Sequence, residues 1–103
     1  MFSFDLSDKL KLKISKLSTK DKKKVEIINK KIKEIINNDS ETIKRYKNLR
    51  GDLSDLKRVR IDKSFVLTFK VDISTNFILF YDFDHHDRIY WVWDEIILRK
   101  KKD

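Results

Sequence analysis

His85 and His86 are the two histidines of this 103-residue chain, and Tyr90 follows four residues later. They lie in the stretch 82–90, which follows an apolar run, residues 77–81, that is typical of a buried strand. The chain therefore presents two imidazoles and a phenol at the end of a strand. Neighbouring residues of an extended chain point to opposite faces, so we expect only one imidazole to face a site. The spacing to Tyr90 favours His86.

Two arginines lie upstream on one face of another expected strand, because Arg58 and Arg60 alternate with Val59. Arginine binds phosphate through two hydrogen bonds, and histidine titrates near neutral pH. Together with His86, these groups could cleave a phosphodiester without a metal. The alternatives are a polar turn for the histidines and a solvated stripe for the arginines.

A metal site is the second chemistry that these residue types allow, since Asp82, Asp84, His86 and Asp87 carry ligand atoms. Asp87 faces away from the other three in an extended chain, and no remote ligand is apparent. We therefore predict no metal and no cofactor. The absence of cysteine also excludes disulfides and thiolate ligands, and the single glycine excludes a glycine-rich phosphate loop.

Composition predicts one domain, residues 1–103, because 40% hydrophobic residues can form a core although 41% are charged. The net charge is +8, and residues 1–50, with 15 Lys/Arg and 7 Asp/Glu, carry all of it. This basic half suggests a polyanion or an acidic protein partner, and the alternative is a solvated lysine-rich surface. No run approaches the roughly 20 apolar residues of a membrane span, so we expect a cytoplasmic protein.

Hydrophobic periodicity predicts the elements that position these groups. Residues 2–6 alternate as a strand, whereas 8–17 fit a strand or a helix. Ser18 and Asp21 resemble a capping box before an amphipathic helix. Three strands follow at 56–61, 64–71 and 76–83, and the tail 91–102 is amphipathic. This order predicts an α+β domain with two helices on one face of a mainly antiparallel sheet.

The motifs, taken in order, resemble the RelE/ParE family of toxins from type II toxin–antitoxin modules. Residues 49–56 resemble the family's lead-in to its central hairpin, and 58–61 and 65–71 resemble the two strands of that hairpin. Residues 84–90 are similar to the family's final strand. The resemblance implies the fold strand–helix–helix–strand–strand–strand, a short C-terminal helix, and a helix over 8–17.

RelE-type members are ribosome-dependent endoribonucleases that cleave mRNA by attack of a ribose 2′-OH on the adjacent phosphate. The resemblance implies that Arg58 and Arg60 bind phosphate, and that His86 or His85, with Tyr90, transfers protons. The family's catalytic arginine falls at about Val66, which carries no charge. The basic residues expected to bind RNA are Lys23, Lys24, Lys44, Arg45, Lys47, Arg50 and Lys70.

The resemblance also implies partners: a cognate antitoxin in a heterodimer or heterotetramer, the ribosome and mRNA. Two other functions stay open at this point. One is a ParE-like inhibitor of DNA gyrase, which shares the fold and catalyses nothing. The other is a non-catalytic module that binds RNA or the ribosome, which the basic first half would serve equally well.

Overall fold

The computed structural model describes residues 1–49 and 55–88. The elements follow the predicted order, and they confirm the α+β fold. The short C-terminal helix expected over 91–102 lies outside the described residues. The elements are β1 (Ser3–Leu6), α1 (Asp8–Lys20), α2 (Lys22–Ile36), a 3₁₀ helix (Thr42–Arg45), β2 (Leu56–Arg60), β3 (Phe65–Asp72) and β4 (Phe77–His85).

Both long helices begin at a short polar side chain that accepts a backbone N–H. The Ser7 hydroxyl accepts from Leu10 at 3.1 Å and starts α1, which confirms the helix implied for residues 8–17. The Asp21 carboxylate accepts from Lys24 at 3.0 Å and starts α2. The capping role predicted for Ser18 is wrong, because Ser18 lies inside α1 and the helix breaks only at Asp21.

The sheet has the order β1-β4-β3-β2, in which β1 runs parallel to β4 and the other pairs are antiparallel. β4 is thus an inner strand, as its two apolar faces predict. The turn from β3 to β4 is held by the Asp72 carboxylate, which accepts from the Ser74 backbone N–H at 3.0 Å. Asn76 completes the turn at φ 57°, a left-handed conformation that asparagine tolerates.

The hydrophobic core lies between the sheet and the two helices. The amphipathic helix predicted after Asp21 is confirmed as α2, since its last four isoleucines are buried and Val25 is half-buried. Within the described residues, no helix is long and apolar enough to cross a membrane. The buried core residues are Phe2, Leu10, Ile28, Ile32, Ile35, Ile36, Ile43, Leu67, Phe69, Ile78, Phe80 and Phe83.

Candidate active site

The face of the sheet opposite the helices carries the two arginines. Leu67 and Phe69 belong to the core, so their neighbours Val66 and Thr68 point to the other face, as the alternation of a strand requires. Strand register places Arg60 opposite Val66 and Arg58 opposite Thr68. Val66 is nevertheless buried, with 2% of its surface exposed. The position where the family has an arginine is therefore a packed apolar one in this chain.

Two aspartates of β4 extend these pairs across a third strand. Asp84 lies opposite Val66, and Asp82 lies opposite Thr68. Each arginine and its aspartate are separated by two strand spacings of about 4.8 Å each. We call these two lines of residues the arginine–aspartate rows: Arg60, Val66 and Asp84 in one, and Arg58, Thr68 and Asp82 in the other.

The two imidazoles lie side by side, with ring centroids 4.9 Å apart and planes tilted by 31°. The expectation that they point to opposite faces is wrong. β4 ends at His85 and helical backbone begins at His86, so the alternation of an extended chain stops between them. The His85 ring packs edge-on against Phe65 at 5.7 Å. The His86 Nδ1 lies 3.2 Å from the Ser64 carbonyl oxygen.

Asp87 contacts both rings, and the expectation that it faces away is also wrong. Its Oδ1 lies 2.9 Å from the His86 Nε2, and its Oδ2 lies 3.8 Å from the His85 Nδ1. Its backbone N–H also donates to the His85 Nδ1 at 3.3 Å. The helical turn that begins at His86 brings Asp87 back over the rings. We call these three residues the His–His–Asp cluster.

A lysine of α1 holds the end of β4 in place. The Lys13 Nζ donates to Asp82 Oδ1 at 2.7 Å, to the Phe83 carbonyl oxygen at 3.1 Å and to Asp84 Oδ2 at 3.1 Å. Lys9, one turn earlier, pairs with Asp82 at 3.2 Å. Asp82 is 5% exposed, and a buried carboxylate needs such paired charges.

Sequence reasoning missed this clamp between α1 and β4. The available signal is that Lys9 and Lys13 lie one helical turn apart, while Asp82 and Asp84 share a strand face. Pairing the two sets requires knowing that α1 runs beside the end of β4. The clamp fixes the strand from which the His–His–Asp cluster projects.

Opposing effects set the pKa of Asp84. Burial raises this pKa, but hydrogen bonds from the His85 backbone N–H and from Lys13, with the positive charges of Lys13 and Arg88, hold it below its ordinary value. The His85 N–H donates at 2.7 Å, and the Arg88 Nε lies 3.7 Å away. The folded protein therefore favours the ionised form of Asp84.

A lowered pKa makes stability depend on pH. A carboxyl with a folded pKa below its unfolded value of about 3.9 contributes stability above that pH, and the contribution is lost as pH falls through the folded pKa. We therefore expect Asp84→Asn to lower the free energy of unfolding at pH 7, and the difference from wild type to shrink below about pH 4. Urea unfolding at pH 7, 5 and 3 measures this. Glu26→Gln, on the exposed face of α2, is the control, and a deficit that stays constant with pH would contradict the assignment.

The residues expected to bind RNA do not form one cluster. Lys24 pairs with Asp62 at 2.9 Å, and its Nζ lies 4.2 Å from the centre of the Phe65 ring. Lys70 pairs with Asp55 at 3.3 Å and lies on the opposite face of the sheet from Phe65. The other basic residues lie at the start of α2 (Lys23), in the 3₁₀ helix (Lys44 and Arg45) and beside β2 (Lys47). Arg50 lies outside the described residues, and so does Tyr90, the residue expected to transfer protons with the histidines.

No protein-family model matches the chain. The chain is 49% identical over 90 residues to "Putative toxin RelE4" of Methanocaldococcus jannaschii, an alignment that covers 87% of this chain and 92% of that protein. It is also 43% identical over 90 residues to an "Uncharacterized protein" of Methanosarcina mazei, covering 87% of this chain and all of that one.

Solved structures share the fold at lower identity. The YoeB/ParE toxin from Agrobacterium tumefaciens superposes with a TM-score of 0.66 at 16% identity, covering 82% of this chain and 99% of that one. A chain of the YoeB–YefM complex from Staphylococcus aureus superposes with a TM-score of 0.65 at 22% identity, covering 84% and 98%. At such identities the likeness establishes the fold, with its two helices on one face of a four-stranded sheet.

Proposed function

The chain belongs to the RelE family of toxins, and from this membership we propose that it is a ribosome-dependent endoribonuclease that cleaves mRNA. The observation that carries the proposal is the His–His–Asp cluster, which puts two imidazoles at the end of β4. The same sheet presents Arg58 and Arg60 on the face away from the core. The match to a RelE-named relative, which covers 87% of this chain and 92% of that protein, supports the family's chemistry in this chain.

The proposed reaction is an internal transfer within the RNA. A base takes the proton of the ribose 2′-OH, and the 2′ oxygen attacks the adjacent phosphorus. The bond from phosphorus to the 5′ oxygen breaks, and an acid returns a proton to that oxygen. The products are a 2′,3′-cyclic phosphate and a 5′-OH end, with no water, oxidant or metal consumed. His86 is the proposed acid or base. Its Nδ1 lies 3.2 Å from the Ser64 carbonyl oxygen, which can orient the ring, and its Nε2, beside the exposed Asp87 carboxylate, is the nitrogen that would exchange the proton.

The arginines supply the positive charge that the pentacovalent phosphorane requires. Arg58 and Arg60 are two residues apart on β2 and share one face, so both can approach one phosphate. Val66, in the same row as Arg60, carries no charge. In this proposal His85 or His86 takes over the part that the family's arginine plays at that position.

We further propose that a cognate antitoxin inhibits this activity by covering the face that carries Arg58 and Arg60. The Staphylococcus aureus neighbour is a YoeB–YefM complex, in which a protein of this fold is bound to a partner protein. An acidic segment is the complement of the arginines and of the basic first half of this chain. The amphipathic tail 91–103, a second candidate contact, lies outside the described residues.

The proposal predicts that inducing the protein in a bacterial host arrests growth and produces new mRNA ends that carry 5′-OH groups. Ligation-based mapping of 5′-OH ends before and after induction measures this, and ribosome-associated mRNA should be cut first. Co-expression of the reading frame that flanks this gene should restore growth and co-purify with the toxin. Growth arrest without new 5′-OH ends would contradict the nuclease.

The alternative is a ParE-like inhibitor of DNA gyrase that binds without chemistry. One observation favours it: Val66 is apolar and buried, so this face has no cation at the position where the family's nucleases have an arginine. Plasmid supercoiling after induction separates the two functions. Relaxed or cleaved plasmid with intact mRNA supports the gyrase reading.

A further inference from the structure

We propose that the His–His–Asp cluster binds a divalent transition-metal ion such as Zn²⁺ or Ni²⁺. Two imidazole nitrogens and a carboxylate oxygen of His85, His86 and Asp87 all lie within 4.8 Å of one another. This site goes beyond the proposed nuclease, whose reaction needs no metal. Its occupation would withdraw His86 from proton transfer and so act as an inhibitory switch.

The hydrogen bond of His86 prepares its second nitrogen as a ligand. A carbonyl oxygen only accepts, so the contact of 3.2 Å between Ser64 and the His86 Nδ1 requires a proton on Nδ1. The neutral ring then directs the lone pair of Nε2 toward Asp87 Oδ1, 2.9 Å away. Both atoms are ligands that transition metals accept, and one bound metal ion could join them.

The second ligand is His85, whose Nδ1 lies 3.8 Å from Asp87 Oδ2. The lone pair of this nitrogen accepts the Asp87 backbone N–H at 3.3 Å, a long hydrogen bond that a bound metal ion would replace. A metal with bonds of about 2.1 Å joins ligand atoms up to about 4.2 Å apart. The ligand atoms of the cluster lie within 4.8 Å of one another, so their widest separation has to shorten by at most about 0.6 Å. The side chains of His85, His86 and Asp87 are 41%, 32% and 79% exposed, and rotation of these partly exposed side chains can supply that movement.

The donor set selects the kind of metal. Two imidazoles and one carboxylate suit first-row transition ions and leave positions open for water, whereas Mg²⁺ and Ca²⁺ prefer oxygen ligands throughout. A backbone carbonyl at the distal nitrogen, as Ser64 provides for His86, is the usual outer contact of a metal-binding histidine. Lys13 holds Asp82 and Asp84, which leaves Asp87 as the carboxylate of the site.

The composition of the chain makes the test clean. The protein has two histidines and no cysteine, so a tag-free preparation has no other imidazole or thiolate for a soft metal. Isothermal titration calorimetry with ZnCl₂, NiCl₂ and MgCl₂ should show one Zn²⁺ or Ni²⁺ per chain and no Mg²⁺. His85→Ala and His86→Ala should each weaken binding by about tenfold or more, which corresponds to at least about 1.4 kcal/mol. Asp87→Asn should also weaken it, and Asp8→Asn on α1 is the matched control that should not.

A spectroscopic readout shows which atoms bind. Cu²⁺ added to the wild type should give an electron paramagnetic resonance spectrum with nitrogen hyperfine coupling, and the double histidine variant should lose it. Circular dichroism checks that each variant keeps its fold. No binding of Zn²⁺ or Ni²⁺, or equal affinity in wild type and histidine variants, would overturn the proposal. These measurements contain no RNA, so the metal site can fail while the nuclease stands, and the reverse.

Discussion

Replacing both His85 and His86 with alanine should abolish growth arrest and lower the rate of RNA cleavage by about 10²–10⁴. The reason is that the reaction needs a base for the 2′-OH and an acid for the leaving oxygen, and the two imidazoles are the groups proposed for these roles. The fold should survive, because the His85 side chain is 41% exposed, the His86 side chain is 32% exposed, and neither belongs to the hydrophobic core. Mapping of 5′-OH ends with purified ribosomes and mRNA measures the rate.

The control for this variant is Lys22→Ala at the exposed start of α2, a lysine outside the set expected to bind RNA. It removes one solvated charge and should leave cleavage within a fewfold of wild type, since surface charges are screened by salt. The single variants separate the two imidazoles, and we expect His86→Ala to cost more than His85→Ala. Equal toxicity of wild type and the double alanine variant would falsify the nuclease mechanism and favour the gyrase inhibitor.

The order of elements could be predicted from sequence because each element has its own hydrophobic period. Leu67 and Phe69 alternate with Val66 and Thr68, and the structure places the two pairs on opposite faces as that alternation requires. Ile28, Ile32 and Ile35 recur at helical spacing and are buried. Such patterns are local, so they can be recognised in the sequence without knowledge of the rest of the fold.

Helix boundaries were less predictable, for a physical reason. Ser7, Ser18 and Asp21 can each accept a backbone N–H, and residue type alone does not say which of them caps a helix. Packing decides, because Leu17 lies against the core and keeps α1 helical through Ser18. The break then falls at Asp21, where the backbone leaves the helical region at φ −149°.

The arrangement of the candidate site depends on events that a linear pattern does not contain. The two imidazoles lie on the same side because β4 ends at His85. If the strand continued through His86, the two side chains would point to opposite faces. The clamp of Lys13 on Asp82 joins residues 69 positions apart. The burial of Val66 likewise depends on tertiary packing around the sheet. The alternation of β3 indicates which face Val66 occupies, but it does not indicate whether that position is buried or exposed.

Arg60→Ala should lower the rate of cleavage by about 10²–10³ while leaving the protein folded. Arg60 is exposed, and its row joins it to Val66 and Asp84 across the sheet. Because position 66 is a valine and carries no charge, the phosphorane has fewer positive groups within reach. Each of the two guanidinium groups should therefore contribute a larger part of the stabilisation of the phosphorane. Arg58→Ala should have an effect of similar size, and rates measured at saturating ribosomes report on the chemical step.

Two further variants show whether charge or geometry matters. Arg60→Lys keeps the charge but loses the planar fork that binds two phosphate oxygens, so we expect a rate between those of wild type and Arg60→Ala. Arg45→Ala removes the same group from the 3₁₀ helix and should cost far less. If Arg45→Ala and Arg60→Ala slow cleavage equally, the arginines contribute only to general attraction for RNA. A specific role at the phosphorane would then be excluded, because a screened attraction does not depend on which face of the sheet carries the charge.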